Sequence, residues 1–267
     1  MPPARMRCET RHVSDLDQLE ALYAAGDAHR FPVHCHTTLV IQAVVRGADW
    51  CCVNDLVAGP GEVFVHFPQA VHSGGSWDRE GLEYLAIYPS LPLVAEIVGR
   101  PPSLFPTATS HVVRDPRLAR LALETARAAM ERPKDASALL KELLLRVVDS
   151  PVLMAPGSFD GRGRDAVDVA CRHLREHSHR SVSLTELSEV SGVSRFHLIR
   201  KFRQRLGITP HQLLISLRVE AAKRLLAAGA PIAAAAIETG FADQSHLTRW
   251  FGRLTARRPG EYGPAAR

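Results

Sequence analysis

The sequence predicts two domains, an N-terminal all-β barrel or sandwich with appended α-helices and an all-α C-terminal domain made of two helix-turn-helix units. Three observations predict this. A short frame, His-Leu-x-Arg-x-Phe, occurs twice, at His197–Phe202 and at His246–Phe251, an offset of 49 residues. Between residues 38 and 88, short apolar runs recur between Gly and Pro signals, the pattern of a sandwich or barrel. Charge is also uneven. Residues 161–267 hold 18 Lys+Arg and 9 Asp+Glu, net +9, whereas residues 1–160 hold 15 and 19, net −4.

The bulk properties bound the class. A chain of 267 residues has room for about two cores. It is 46% hydrophobic and 23% charged, the balance of an ordinary soluble protein. No apolar run approaches the roughly 18 residues of a membrane helix. Met1–His12 lacks the apolar stretch of a secretory leader, so a cytoplasmic location is expected. The 5 cysteines, an odd number in a chain this long, are expected to stay reduced. A basic tail on a mildly acidic body suits binding of a polyanion through one part only.

Taken in order, residues 1–30 are weakly patterned, with a short helix expected at Leu16–Ala25. Strand character follows at Thr38–Val45, Trp50–Val53, Glu62–His66 and Leu82–Tyr88. Turns are expected at Asn54-Asp55, Gly59-Pro60-Gly61, Pro68 and Gly74-Gly75. After Pro102 the period changes, and Arg117–Met130 and Ala136–Val148 read as amphipathic helices. The second carries a Leu-rich stripe that could cover the barrel or pair with a second copy of the chain. Residues 1–150 thus form the first domain, 151–163 a linker rich in Pro, Gly and Ser, and 164–267 the second domain.

His34, His36 and His72 are the candidate ligand-binding residues of the first domain. Two histidines at i, i+2 on a strand point the same way and could share a metal. They could equally line a ligand pocket, or be turn and surface residues. Val40 and Ile41 stand where a metal barrel would want a carboxylate, so no metal and no cofactor is assigned. Adjacent Cys51 and Cys52 point to opposite faces of a strand and suit packing rather than metal binding. Walker, Gly-x-Gly-x-x-Gly, His-Glu-x-x-His and Gly-x-Ser-x-Gly motifs are all missing, and no catalytic residue is assigned.

The second domain opens with a scaffold helix at Asp165–His177. Ser183-x-x-Glu186 reads as a capping box that starts a helix at Leu184 and ends it at Gly192. Ser194 caps the next helix, which stops at Gly207. Thr209-Pro210 restarts the chain, and the helix Pro210–Ala228 shows apolar positions at Leu213, Leu214, Leu217, Ala221 and Leu225. Pro231 opens the second unit, Gly240 turns it and Asp243 caps its last helix.

Helical periodicity then divides the faces. Leu198 with Phe202, and Leu247 with Phe251, sit at i, i+4 and should be buried. That leaves Arg195, Phe196, Ile199, Arg200 and Arg203 facing outward on the first reading helix, and Gln244, Ser245, Thr248 and Arg249 on the second. N-terminal residues of such helices reach base edges, where Arg suits guanine and Gln suits adenine. His197 and His246 are expected to pack at the turns. Phe196 is open between a core position and a thymine-methyl contact. Lys201, Arg203, Arg205 and Arg253 are placed for phosphate. The connecting helix is about 28 Å long at 1.5 Å per residue, against the roughly 34 Å between successive major-groove faces.

Residues 165–262 resemble the DNA-binding domain of the AraC/XylS family of bacterial transcription regulators. The resemblance rests on the duplicated frame, Leu184-Thr185-Glu186-Leu187, Gly207-Ile208-Thr209-Pro210, Ile237-x-x-Gly240-Phe241 and Pro259-x-x-Tyr262. The family closes its second unit with Gly-x-Thr-Pro, whereas this chain has Ala256-Arg257-Arg258-Pro259, which weakens the expected C-cap. The N-terminal part resembles, on His34-x-His36, Gly59-Pro60-Gly61-Glu62, Pro68 and His72, the cupin-like effector domain found ahead of such units. Metal cupins add a Glu after the His pair, and this chain does not.

The resemblance implies a cupin-like barrel that binds a small-molecule effector, helices used in dimerisation, and a double helix-turn-helix that binds an operator in double-stranded DNA. It implies a homodimer, with RNA polymerase as a possible further partner and no membrane association. Two rivals remain at this point: a metal-dependent cupin enzyme with a DNA-binding tail, and a DNA-binding protein whose barrel only dimerises.

Overall fold

The structure is a computed structural model and describes residues 7–13, 19–26, 30–51, 55–77, 81–154 and 165–262. By contacts the chain divides into two units. One comprises Met1–Arg30 with Thr37–Ser158, the other Phe31–His36 with Phe159–Arg267. The strands are β1 (Arg7–His12), β2 (Leu19–Gly26), β3 (Arg30–His34), β4 (Val40–Arg46), β5 (Asp49–Cys51), β6 (Leu56–Ala58), β7 (Val63–His66), β8 (His72–Gly75), β9 (Leu82–Pro89) and β10 (Ser110–Val113). The helices are α1 (Leu91–Val98), α2 (Pro116–Glu131), α3 (Pro133–Val148), α4 (Ala166–Glu176), α5 (Leu184–Ser191), α6 (Arg195–Leu206), α7 (Pro210–Ala227), α8 (Ile232–Glu238) and α9 (Gln244–Thr255).

The first unit is built on an antiparallel sheet in the order β1-β2-β9-β4-β7-β10. Its register aligns Ile41 with Ile87 and Val65, and Ala43 with Leu85 and Val63. One face therefore carries a continuous apolar set, because side chains alternate across a strand. On that face Leu121, Ala122 and Ala126 of α2 and Leu140, Leu143, Leu144 and Val147 of α3 complete a single core. Burying each Leu contributes about 1.5–3 kcal/mol. The Leu stripe of α3 is thus buried within its own unit, with α3 packed against α2 and α1, and of its leucines only Leu145 is exposed, at 37%. Both helices begin with Pro, and Asp115 caps α2 by accepting from the Arg117 N–H at 2.8 Å.

The other face of the sheet is buried too, which is why residues 40–45 of β4 and all of β7 are apolar on both faces except at the buried Gln42 and His66. Gln42 aligns there with Ala86 and Phe64, and Val44 with Tyr84. The expected helix at Leu16–Ala25 is corrected. Residues 19–26 form β2, paired with β1 on one side and β9 on the other; positions 16–18 lie outside the described residues. Leu, Ala and Glu favour a helix locally, but a central place in a sheet overrides that preference. The short α1, capped by Ser90 and ended by Gly99, also precedes the point where helices were expected. Of the expected linker, residues 151–154 form turns and the rest lies outside the described residues.

Among its described residues the second unit is helical apart from the short extended segment 31–36. α4 contacts α5, α6 and α7, and α7 also contacts α8 and α9. Leu198, Phe202, Leu247 and Phe251 are fully buried, as the i, i+4 spacing requires. Phe251 packs edge-on against Tyr262 at 5.3 Å, which accounts for the Tyr that follows Pro259. Ser194, Thr209 and Asp243 cap α6, α7 and α9, and Thr209 with Gln212 forms a full capping box.

One cap differs from the expectation. The Ser183 hydroxyl accepts the Glu186 N–H at 3.0 Å, but the Glu186 carboxylate does not reach back. It lies 2.6 Å from His173 Nε2 on α4 and accepts from Arg180 instead. A carboxylate offered two cationic or imidazole donors gains more than from a single backbone amide. Arg180 and then His173 hold the Glu186 carboxyl low, at about 2.

Candidate functional site

The two reading helices present matched surfaces. Each is preceded by a tight turn whose Gly adopts the left-handed conformation, φ 69° at Gly192 and 84° at Gly240. Each then carries its outward residues over a buried Leu-Phe pair. On α6, Arg195, Phe196, Arg200 and Arg203 are exposed and Ile199 is half-buried. On α9, Gln244, Ser245 and Arg249 are exposed and Thr248 is half-buried. The structure therefore groups the candidate DNA-binding residues on two solvent-facing helix surfaces. Phe196 is 80% exposed, which removes the core alternative for that residue.

Side-chain partners refine the face. The Arg200 guanidinium donates to His197 Nδ1 at 3.0 Å, so the turn histidine orients the arginine one turn further on. His246 packs edge-on to Phe241 at 5.3 Å, a structural place at the second turn. Arg253 lies over the Trp250 ring at 5.2 Å.

The phosphate expectation changes for two cations. Arg205 Nη1 donates to Asp165 Oδ2 at 2.6 Å, and Nη2 lies 3.0 Å from Asp168 Oδ1. Lys201 reaches Asp165 at 3.4 Å. These residues tie α6 to α4, and the acidic residues at the start of α4 were the signal that sequence reasoning passed over. Burial opposes ionisation of Asp165, but Lys201, then the Ala166 amide, then Arg205 outweigh it and leave the carboxyl below the usual range.

The candidate ligand residues divide. Segment 31–36 groups with the helical unit, so His34 and His36 are found there. Their Nε2 atoms lie 3.1 Å apart, and His34 Nδ1 is 2.7 Å from the Pro32 carbonyl. His36 Nδ1 is 2.9 Å from the Glu220 carboxylate of α7, which Lys223 approaches at 3.4 Å. Burial first, and then His36, push the His34 imidazole down to about 3, so it is neutral at pH 7. Burial opposes ionisation of Glu220, but Lys223 and His36 outweigh it and hold the carboxyl below its usual range. Cys35 and Cys171 of the same unit are buried thiols pushed up to about 12, which makes them poor nucleophiles.

His72 belongs to the sheet unit. Its Nδ1 is 2.9 Å from the Ala70 carbonyl and its ring stacks on His66 at 4.1 Å. His66 stacks in turn near Phe64 at 5.2 Å and lies 2.8 Å from the Ser110 hydroxyl. Nearby in sequence, buried Asp49 accepts from Gln42 and from the Gly75 N–H at 2.7 Å. Burial raises its carboxyl to about 6. Gln42, Asp49 and His66 were not singled out from sequence. The available signal was polar residues inside strands whose neighbours are all apolar.

Two exposed, cation-bearing helices on matched turns, in a chain that also holds a sheet unit with polar side chains buried in its strands, define a two-domain helix-turn-helix regulator. A family model described as a helix-turn-helix domain matches residues 187–264, and one described as an AraC-like ligand binding domain matches residues 18–148. A Bacillus subtilis (strain 168) protein described as the uncharacterized HTH-type transcriptional regulator YbfI is 30% identical over 257 residues, covering 91% of each chain. Among solved structures, unsaturated fatty acid-bound wild-type ToxT from Vibrio cholerae strain SCE256 has TM-score 0.61 at 13% identity, covering 97% of this chain and 93% of that one. ToxT from Vibrio cholerae O395 has TM-score 0.56 at 12% identity, covering 92% and 96%. At such identity the likeness is one of fold. The chain belongs to the AraC family of transcriptional regulators, with an AraC-like ligand-binding domain ahead of its helix-turn-helix domain.

Proposed function

We propose that the protein reads an operator by placing the N-terminal halves of α6 and α9 in two successive major grooves of one DNA duplex. The observation that carries this is the matched exposure of Arg195, Phe196 and Arg200 on α6 and of Gln244, Ser245 and Arg249 on α9, each set over a buried Leu-Phe pair. α7 joins the two units with 18 residues, about 27 Å at 1.5 Å per residue. That rod is close to the roughly 34 Å separating adjacent grooves on one side of B-DNA, the remainder being supplied by the turns. Ile199, Thr248 and Arg203 complete the reading surfaces, and Phe196 offers an apolar contact to a thymine methyl.

The sheet unit supplies control in this reading. A small polar molecule binds at the inner sheet face near His72, His66 and Gln42, and favours one of two states of the regulator. Such coupling requires a difference in ligand affinity between the states. His34 and His36 take part through the segment that reaches α7. The protein acts as a homodimer, performs no catalysis, and works with RNA polymerase in the cytoplasm.

Selection of bound sites from random DNA, followed by footprinting, tests the reading. Two protected half-sites about one helical turn apart are the expected result. A single protected groove, or no sequence preference, overturns it.

A further inference from the structure

The loop between α4 and α5, Ser178 to Arg180, is held by groups from the other half of the helical unit. Arg218 lies on α7 and is 7% exposed. Its Nε donates to the Ser178 carbonyl at 2.8 Å, and Nη2 donates to the Arg180 carbonyl at 2.9 Å. One planar guanidinium thus grips two carbonyls that flank His179, a fixed fork that Lys could not reproduce. The same guanidinium carbon stands 6.0 Å from the Phe241 ring centroid, just past the turn of the second reading unit.

The turn itself touches the loop. A Cβ added to Gly240 would meet the His179 carbonyl oxygen at 2.7 Å and the Ser178 oxygen at 3.0 Å. The contact is backbone on backbone, so no side chain can rotate away from it. On its other side the loop is fastened to the first reading unit, because Arg180 donates to Glu186 of α5 and Glu186 also holds His173 of α4. The first unit, the loop, Arg218 and the turn at Gly240 form one continuous set of contacts.

We infer that Arg218 and Gly240 set the angle between the two reading helices, and so the half-site separation that the protein accepts. They are positioning residues and act through the loop Ser178–Arg180. A connecting helix alone fixes the distance between two heads but leaves rotation about its ends. The grip on Ser178 and Arg180 removes that rotation at one end, and the close approach of Gly240 removes it at the other. This inference rests on the two-groove reading above.

The test uses the full chain and a duplex chosen by the wild-type protein from random DNA, with the separation of its half-sites altered by 1 or 2 bp in either direction. At about 10–10.5 bp per turn, 2 bp turns the second site by roughly 70°. The wild type is expected to lose at least about tenfold in affinity at a 2 bp change, as a misplaced set of base contacts would. Arg218→Met is expected to cut that penalty to about threefold or less, with a smaller effect on affinity for an isolated half-site. Gly240→Ala is expected to shift or broaden the optimum, and Arg218→Lys to fall between wild type and Arg218→Met. Circular dichroism melts confirm the fold of each variant. A wild type indifferent to separation overturns the two-groove reading and this inference with it. A sharp wild-type optimum that Arg218→Met and Gly240→Ala both retain overturns this inference alone. Failure of all three variants to fold also overturns it, because the contact would then serve general stability.

Discussion

Arg205 of α6 and Asp165 at the start of α4 form a direct ion pair, with Nη1 2.6 Å from Oδ2, and the second guanidinium nitrogen turns to Asp168. A cation on a reading helix is here part of the scaffold. Asp168 is 2% exposed, so removing its partner would strand a carboxylate in the interior. We expect Arg205→Ala to lower unfolding stability by about 1–3 kcal/mol, read by urea melts. The salt dependence of DNA binding should be unaltered, whereas loss of a phosphate contact would reduce the slope by about 1.

Arg200 and Arg249 occupy matching places in the two copies of the repeated frame and both are exposed. Replacing either with Ala should cost about 1–3 kcal/mol on the selected site and relax preference at one base position. Binding assays on single-base variants of that site decide the point. Equal losses on every sequence would reassign both residues to phosphate.

Ala256 ends α9 with φ 57°, the left-handed conformation that Gly adopts most readily. A Cβ there costs about 1–2 kcal/mol. Ala256→Gly should therefore raise stability by about 0.5–1 kcal/mol, after the entropy that Gly adds to the unfolded chain. A thermal melt that moves down on this change would show that the Thr255 and Arg257 contacts at the turn depend on the present conformation.

Asp49 gives the sheet unit a pH dependence of defined sign. Burial raises its carboxyl from the ordinary 3.8 to about 6, so the folded state prefers the protonated form. Its contribution is fully present below pH 4 and is lost as the pH rises through about 6. The gap is worth about 3 kcal/mol. Asp49→Asn should remove this slope, since Gln42 can turn its amide to face the new one. Melts of both proteins between pH 4 and 7 compare the slopes; parallel curves would discount the effect.

Much of the fold was legible because its signals are local. The double unit follows from Gly192, Gly207 and Gly240, from caps at Ser194, Thr209 and Asp243, and from Leu-Phe pairs at helical spacing. β4, β7 and β9 follow from short β-branched, aromatic and aliphatic runs between turn residues. β2 was not legible, because Leu19, Ala21, Leu22 and Ala24 are as good in a helix, and only pairing with β1 and β9 decides the matter. The reading faces followed from periodicity, and the exposure of Phe196 settled what periodicity left open. The tasks of Arg205, Arg218 and Glu186 were hidden because their partners lie 40, 40 and 13 residues away. Charge and helix phase say that such a side chain is available, but not which distant carbonyl or carboxylate will meet it.

The close approach at Gly240 also bears on how this gene can drift. Every missense change in a glycine codon installs a Cβ, and here any Cβ strikes main chain, at a φ of 84° that other residues seldom adopt. Gly252 on α9 has its nearest neighbour at an ordinary 3.5 Å and no such backbone demand. In a saturation library scored by promoter output, every substitution at Gly240 should lower the output while Gly252 tolerates Ala.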